Sequence, residues 1–352
     1  MKATGVVIAT LGSPASPSKR DVAAYLREFL MDPLVIDVRF PLRWLLVKGI
    51  IVPLRAGTSS GYYRKVWTDR GAPLLHHTGA LTEALSRRLG SRFVVRMGTR
   101  YGSPPLREAI ASLAPRVGQL LVCPQYPQYA ASTYESTVRE ARRAASALGH
   151  GFPVRFLPPF YNEEGFIASW VGRLEESARG RRPDHYVFSF HGLPVRHVRK
   201  GSPEGGHCLV TSGCCERSGA ADSGCYPAQC HATAWRIAER AGLGRADYTV
   251  AFQSRMRGGA WIAPHTDEVL VKLAGRGARQ VAVLCPSFTA DCLETLEEVG
   301  IRLRGFFQRH GGTLDLIPCL NAQPQWVEAL AGMIVRAAGV PQPLRRRNRT
   351  RS

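Results

Sequence analysis

His191 ends the apolar run Val187-Phe188-Ser189-Phe190 and is followed by Gly192-Leu193-Pro194. Such a run reads as a buried strand, so the imidazole stands at a strand exit. Imidazole titrates near neutrality, and it can accept a proton or hold a metal ion transiently, which makes His191 the first candidate for a general base. For an isolated residue the plainer alternative is a satisfied histidine capping its strand. Further on, Asp291, Glu294 and Glu298 recur at spacings of three and four, which places all three on one face of a helix. Stacked like charges repel, and a helix start offsets only part of that through its dipole. A stripe of this kind suits attraction of a divalent cation or outward passage of protons. Glu297 reads instead as a solvated position, and Glu298 can be read so too. Carboxylates with an imidazole suit a divalent transition metal held weakly enough to be released. A third group, Cys208, Cys214, Cys215, Cys225 and Cys230, lies in a Gly- and Ser-rich stretch over 201–230. Thiolates so concentrated bind zinc or an iron-sulfur cluster. Adjacent cysteines rarely reach one metal together, so the expected ligands are Cys208, Cys215, Cys225 and Cys230, with Cys214 as substitute. Cys123, Cys285 and Cys319 read as core thiols, and Cys292 is ambiguous.

These groups need a scaffold, and the sequence supplies a repeated one. Strands are expected over 6–11, 93–97, 119–123, 154–157, 185–190, 248–253, 280–285 and 313–317. Helices are expected over 18–31, 78–89, 105–114, 132–148, 164–178, 226–241, 266–274, 291–310 and 325–338. Apolar strands alternating with amphipathic helices imply parallel sheets covered on both faces. The expectation is an α/β protein of two Rossmann-like, doubly wound domains, 1–150 and 151–340, with a cleft between them. Ligands in such folds sit beyond the C-terminal strand ends, where the segments 12–14, 126–129, 191–194, 254–255 and 287–289 all fall.

Composition narrows the class. A chain of 352 residues exceeds what one core usually organises, and 45% hydrophobic with 21% charged residues reads as globular. The formal charge of +20 suits an anionic partner. No helix-turn-helix, zinc-finger or RNA-binding signature accompanies it, so no nucleic-acid role is expected. The arginine-rich segment 341–352 reads as a disordered basic tail. The start of the chain offers no secretion signal. The apolar segment 44–54 is too short to span a bilayer and is interrupted by Lys48 and Pro53. An odd count of nine cysteines points to a reducing compartment, and the expected location is the cytoplasm.

Taken together, many motifs in one order resemble the ferrochelatase family from about residue 5 to 326. They are Leu11-Gly12-Ser13-Pro14, Tyr25-Leu26 with Phe29-Leu30 and Asp32, the segment 51–55, Tyr63, Trp67, Gly71-Ala72-Pro73-Leu74 and Arg100-Tyr101-Gly102. Tyr126-Pro127-Gln128-Tyr129, His191-Gly192-Leu193-Pro194, Phe252-Gln253-Ser254-Arg255, Trp261, Pro264, Thr266 and the segment 288–298 continue them. The resemblance implies insertion of Fe2+ into protoporphyrin IX, with release of two protons, as the terminal step of heme biosynthesis. It assigns His191 and Glu294 to catalysis, and His191, Glu294, Glu298 and Asp291 to the incoming iron. It implies that the porphyrin meets Leu11, Arg55, Tyr63, Arg100, Tyr101, Tyr126, Trp261 and Phe288, with the cations facing its propionates. The cysteine-rich insertion looks like the subclass carrying a 2Fe-2S cluster, with structural zinc as the alternative. The sequence departs from the family pattern at Arg257, usually glycine, at Cys292, often histidine, and at Ser202, usually acidic. The lip over 35–60 mixes Phe40, Leu42, Trp44, Leu45, Leu46, Ile50 and Ile51 with Arg39, Arg43 and Lys48, a composition suited to reversible contact with the inner membrane surface. Packing on the protein's own core or on a homodimer partner is the other use of such a face. Runner-up functions are a chelatase for coproporphyrin or another divalent metal, a non-catalytic tetrapyrrole or iron carrier, and a redox protein built on the cluster alone.

Overall fold

The computed structural model describes residues 2–147, 149, 153–178, 182–201, 213–216, 224–256 and 259–339. Two four-stranded sheets organise them. β1 (Ala3–Thr10), β2 (Phe93–Thr99), β3 (Val117–Pro124) and β4 (Val154–Phe156) pair in the order β2-β1-β3-β4. β5 (His185–His191), β6 (Tyr248–Gln253), β7 (Gln280–Leu284) and β8 (Thr313–Leu316) pair in the order β6-β5-β7-β8. All pairings are parallel. Each expected strand is present, and the α/β expectation with two parallel sheets stands. The central strands β1 and β5 are apolar along nearly their whole length because helices cover both faces. In each sheet the connection runs outward to one side and then to the other, so the exit of the central strand is a switch point where ligands gather.

Each sheet has a core of its own on one face, and the two share a core on the other. One cluster joins Ile8, Phe93 and Leu121 of the first sheet to Phe188, Phe190 and Phe252 of the second through Trp170 and Trp326. The last described helix, Pro324–Ala337, lies against the helices Pro73–Leu89 and Glu164–Ala178. Gln119 of β3 donates from Nε2 to the Ala338 carbonyl at 3.0 Å. A boundary near 150 therefore separates the sheets, while the helical cover crosses it.

Three helical segments differ from expectation in a way that bears on function. The apolar stretch 44–54 is no interrupted span. A short helix, Phe40–Trp44, continues into a π-helix, Leu45–Ile51, and then into Val52–Val66, so Pro53 lies inside one continuous helical run directly after the wider π-turns. Ala131–Glu135 is also π-helical. The expected helix 291–310 starts two residues late and is π-helical over Glu294–Leu303 before the α-helical Arg304–Arg309. Wide π-turns are uncommon and concentrate at functional sites.

Candidate active site

The exit of β5 fixes His191 in three ways. Its backbone N–H donates to Ser287 Oγ at 3.1 Å, and its carbonyl accepts from the Tyr226 hydroxyl at 2.7 Å. Its ring Nδ1 lies 2.7 Å from the Gly192 carbonyl. A carbonyl can only accept, so Nδ1 carries the proton and Nε2 presents a lone pair. The half-buried ring stands edge-on to Phe288, with centroids 6.2 Å apart. Gly192 serves the strand exit itself. A Cβ there would come within 2.7 Å of the Gln253 carbonyl and 3.5 Å of the Trp261 ring, so the missing side chain is filled by β6 and not by a ligand.

The acidic helix divides its carboxylates among different tasks. Glu294 is half-buried in its first turn, where its charge reaches the hydroxyls of Tyr25 and Tyr63 across the cleft. Glu298 accepts hydrogen bonds from the backbone N–H and hydroxyl of Ser254, a residue in the left-handed region at φ 66°. Burial raises the Glu298 carboxyl above the usual range, against the opposing pull of Ser254, Arg302 and His191, and so favours its protonated form. Glu297 is not solvated. Its side chain is 1% exposed, and it pairs with Lys65 at 3.1 Å and Arg302 at 2.8 Å. Lys65 comes from the helix Val52–Val66, so this pair ties the first half to the catalytic helix. Asp291 leaves the expected stripe because it lies before the helix. Its carboxylate accepts from Thr295 at 3.1 Å, the Cys319 N–H at 3.3 Å and Asn321 Nδ2 at 2.8 Å. It braces the turn that launches Glu294.

The facing wall comes from the first sheet. Leu11 follows β1 and is half-buried, and Tyr63 is buried beside Ser13 and Glu294. Trp261 pairs with Pro194, just after His191. Arg55 is exposed and reaches Met256 of the second half. Arg100 and Tyr101 point elsewhere than expected. Arg100 Nη2 meets Asp32 at 2.6 Å, and the Tyr101 hydroxyl donates to Asp32 at 2.9 Å. Ser136 also donates to Asp32 at 2.6 Å, while Tyr126 turns its hydroxyl to Thr137 at 3.5 Å. Burial alone would raise the Asp32 carboxyl, but Ser136, the Leu34 N–H, Tyr101 and Arg100 outweigh it and hold the group below the usual range. This network anchors the first sheet's exit turn and leaves Arg55 as the predicted cation open to a ligand carboxylate.

Among the predicted thiols, Cys208 lies outside the described residues. Cys214 and Cys215 hold their sulfurs 3.9 Å apart. Cys225 precedes the helix Tyr226–Arg240, and Cys230 is buried within it. Burial pushes the Cys230 thiol well up, and Cys215 and Cys225 are close enough to add to that shift. Among the described residues no three His, Cys, Asp or Glu side chains by themselves form a group able to hold a metal ion.

The family model for ferrochelatase matches residues 3–338. The chain belongs to the ferrochelatase family. A ferrochelatase of Bdellovibrio bacteriovorus is 43% identical over 94% of this chain and 98% of its own length. Ferrochelatases of Coxiella burnetii and Stutzerimonas stutzeri are 41% and 40% identical over 94% and 98% of this chain, and over 92% and 100% of their own lengths. SirB from Bacillus subtilis, solved with Fe3+, shares the fold at a TM-score of 0.55 and 10% identity, with 96% of each chain covered. The chain is accordingly a metal–porphyrin chelatase, a lyase of heme biosynthesis, with ferrous iron and protoporphyrin as its substrates.

Sequence reasoning missed several residues of this site. Tyr226 carried a weak signal, an aromatic residue before Pro227 at a helix start. Lys65 carried none, because its partner Glu297 lies 232 residues away. Ser254 was placed at a strand exit, but its left-handed backbone and its grip on Glu298 are tertiary features.

Proposed function

We propose that His191 is the base that takes protons from the pyrrole nitrogens, while Glu294 and Glu298 guide ferrous iron and released protons along the π-helix. The observation that carries this reading is the Nδ1–H bond to the Gly192 carbonyl, which leaves Nε2 as the unshared lone pair at the cleft. Burial of Glu298 supports a carboxyl able to receive and pass on a proton. Leu11, Tyr63, Trp261 and Phe288 form the apolar walls, and Arg55 meets a propionate. Asp291, Arg100 and Tyr101 act behind these walls by holding turns in place. The test is anaerobic ferrous insertion into protoporphyrin and coproporphyrin by purified protein, with zinc insertion as a second assay. Protoporphyrin should be preferred, and His191→Ala should abolish insertion of either metal. Equal porphyrin binding without insertion would favour a carrier.

The cysteine segment is read as holding a 2Fe-2S cluster through Cys208, Cys215, Cys225 and Cys230. The placement of Cys225 and Cys230 at one helix start, with Cys215 near enough for its charge to be felt at Cys230, supports this reading. Purified protein should absorb in the visible range and contain iron and acid-labile sulfide; a colourless sample with stoichiometric zinc would refute the cluster.

The lip is read as a reversible contact with the cytoplasmic membrane surface. Phe40, Leu42, Trp44, Leu45, Ile50 and Leu54 are exposed, and Lys48 lies over the Trp44 ring at 5.3 Å. Among the described residues no helix is long and apolar enough to cross a membrane. Apolar side chains beside a cation suit the headgroup boundary. Flotation with anionic liposomes at low salt should carry the protein, and replacing Trp44, Leu45 and Leu54 with serine should leave it in the soluble fraction.

A further inference from the structure

The His191 peptide is gripped on both sides by one small network. Its N–H donates to Ser287 Oγ at 3.1 Å, and its carbonyl accepts from the Tyr226 hydroxyl at 2.7 Å. The amide can only donate to Ser287, and the carbonyl can only accept from Tyr226, so the peptide has one orientation that satisfies both. Tyr226 is buried at the first turn of its helix, directly after Cys225 and one helical turn before Cys230. It therefore stands between the cysteine segment and the base.

We infer that Tyr226 is a positioning residue that fixes the His191 backbone through its hydroxyl and carries changes at Cys230 to the catalytic histidine. The inference rests on the assignment of His191 as the base. A peptide held by hydrogen bonds on both its N–H and its C=O keeps one orientation, because any rotation breaks two bonds together. Such outer partners typically contribute about 10–100-fold to activity.

The test compares Tyr226→Phe with Tyr134→Phe. Tyr134 donates to the Leu157 carbonyl at 3.0 Å and makes a similar bond away from the base. Tyr226→Phe should lower kcat for zinc insertion about tenfold, with KM for porphyrin changed less than twofold. Tyr134→Phe should leave kcat unchanged. The second readout does not depend on turnover. Histidine labelled at the carbonyl carbon, combined with nitrogen-labelled glycine, reports the His191–Gly192 peptide among three His–Gly peptides in the chain. Tyr226→Phe should move that carbonyl signal upfield. Cys230→Ala should move it in the wild-type background and not in Tyr226→Phe. An unmoved signal, or equal kcat losses in the two tyrosine variants, would overturn the inference. If His191→Ala instead keeps full activity while the signal still moves, the base assignment fails and the network remains.

Discussion

The exits of β1 and β5 are the same backbone solution used for different chemistry. Each is the central strand of a sheet with the same order, and each is followed by a glycine pressed against the carbonyl of the neighbouring exit turn. A Cβ on Gly12 would meet the Tyr101 carbonyl at 1.8 Å, and one on Gly192 would meet the Gln253 carbonyl at 2.7 Å. Beside each glycine a buried acid secures the adjacent turn. Asp32 holds Arg100 and Tyr101, and Glu298 holds Ser254. The halves diverge in the charge state their surroundings favour. Four favourable contacts keep Asp32 ionised against burial, whereas burial wins at Glu298. Topology thus gives the two sheets equivalent exits, and local hydrogen bonding sets the acids beside them in opposite directions.

The sharpest way to test this division is to truncate both exits. His191→Ala should cut kcat for metal insertion by about 10²–10⁴-fold. Leu11→Ala should act mainly on KM for porphyrin; an equal loss of kcat at Leu11 would mean that the wall takes part in the chemistry. Next in size come the glycines. Gly12→Ala combines a left-handed φ of 105° with a backbone clash and should cost about 3 kcal/mol or more in denaturant unfolding. Gly192→Ala has only the clash and should cost about 1–3 kcal/mol. A reversed order would break the parallel between the exits.

The two acids should also differ in their pH dependence. The folded state lowers the Asp32 carboxyl, so its contribution to stability is present at neutral pH and is lost as pH falls through and below the ordinary carboxylate range. The folded state raises Glu298, so its charged form opposes folding increasingly as pH rises from the ordinary glutamate range through the raised value. Asp32→Asn should therefore destabilise the protein at pH 7 and flatten the acid limb of its stability curve. Glu298→Gln should preserve or increase stability at pH 7 while impairing insertion. Parallel behaviour of the two variants in chemical denaturation across pH 4–8 would refute the contrast. The smallest effect is expected at Lys65→Met. Glu297 keeps Arg302 and Lys65 is half-exposed, so the loss should be about 1 kcal/mol or less.

Every expected strand was legible because buried parallel strands are short, apolar and punctuated by turns. Most helices were legible from their periodicity, but the π-helical turns were not. A π-turn over Glu294–Leu303 has the apolar and charged spacing of an ordinary helix, and only packing against Lys65, Ser254 and the β5 exit shows the wider winding. His191 stood out from residue type and setting and the acidic stripe from its spacing, whereas singling out Glu294 took the family resemblance. The role of Asp291 could not, because its partners Cys319 and Asn321 lie on a later turn. Arg100 looked like a propionate ligand for the same reason, since Asp32 and Ser136 come from distant segments.

The residue types and their local order determined the α/β alternation, the strand exits, the imidazole at one of them and the thiols beyond it, because these depend on local periodicity and intrinsic chemistry. Tertiary structure decided which acids are pushed toward ionisation and which away from it, which cations are already committed, which nitrogen of His191 is free and how Tyr226 holds the His191 backbone. Those outcomes depend on burial and on partners brought from distant parts of the chain, and burial sets the cost of charge.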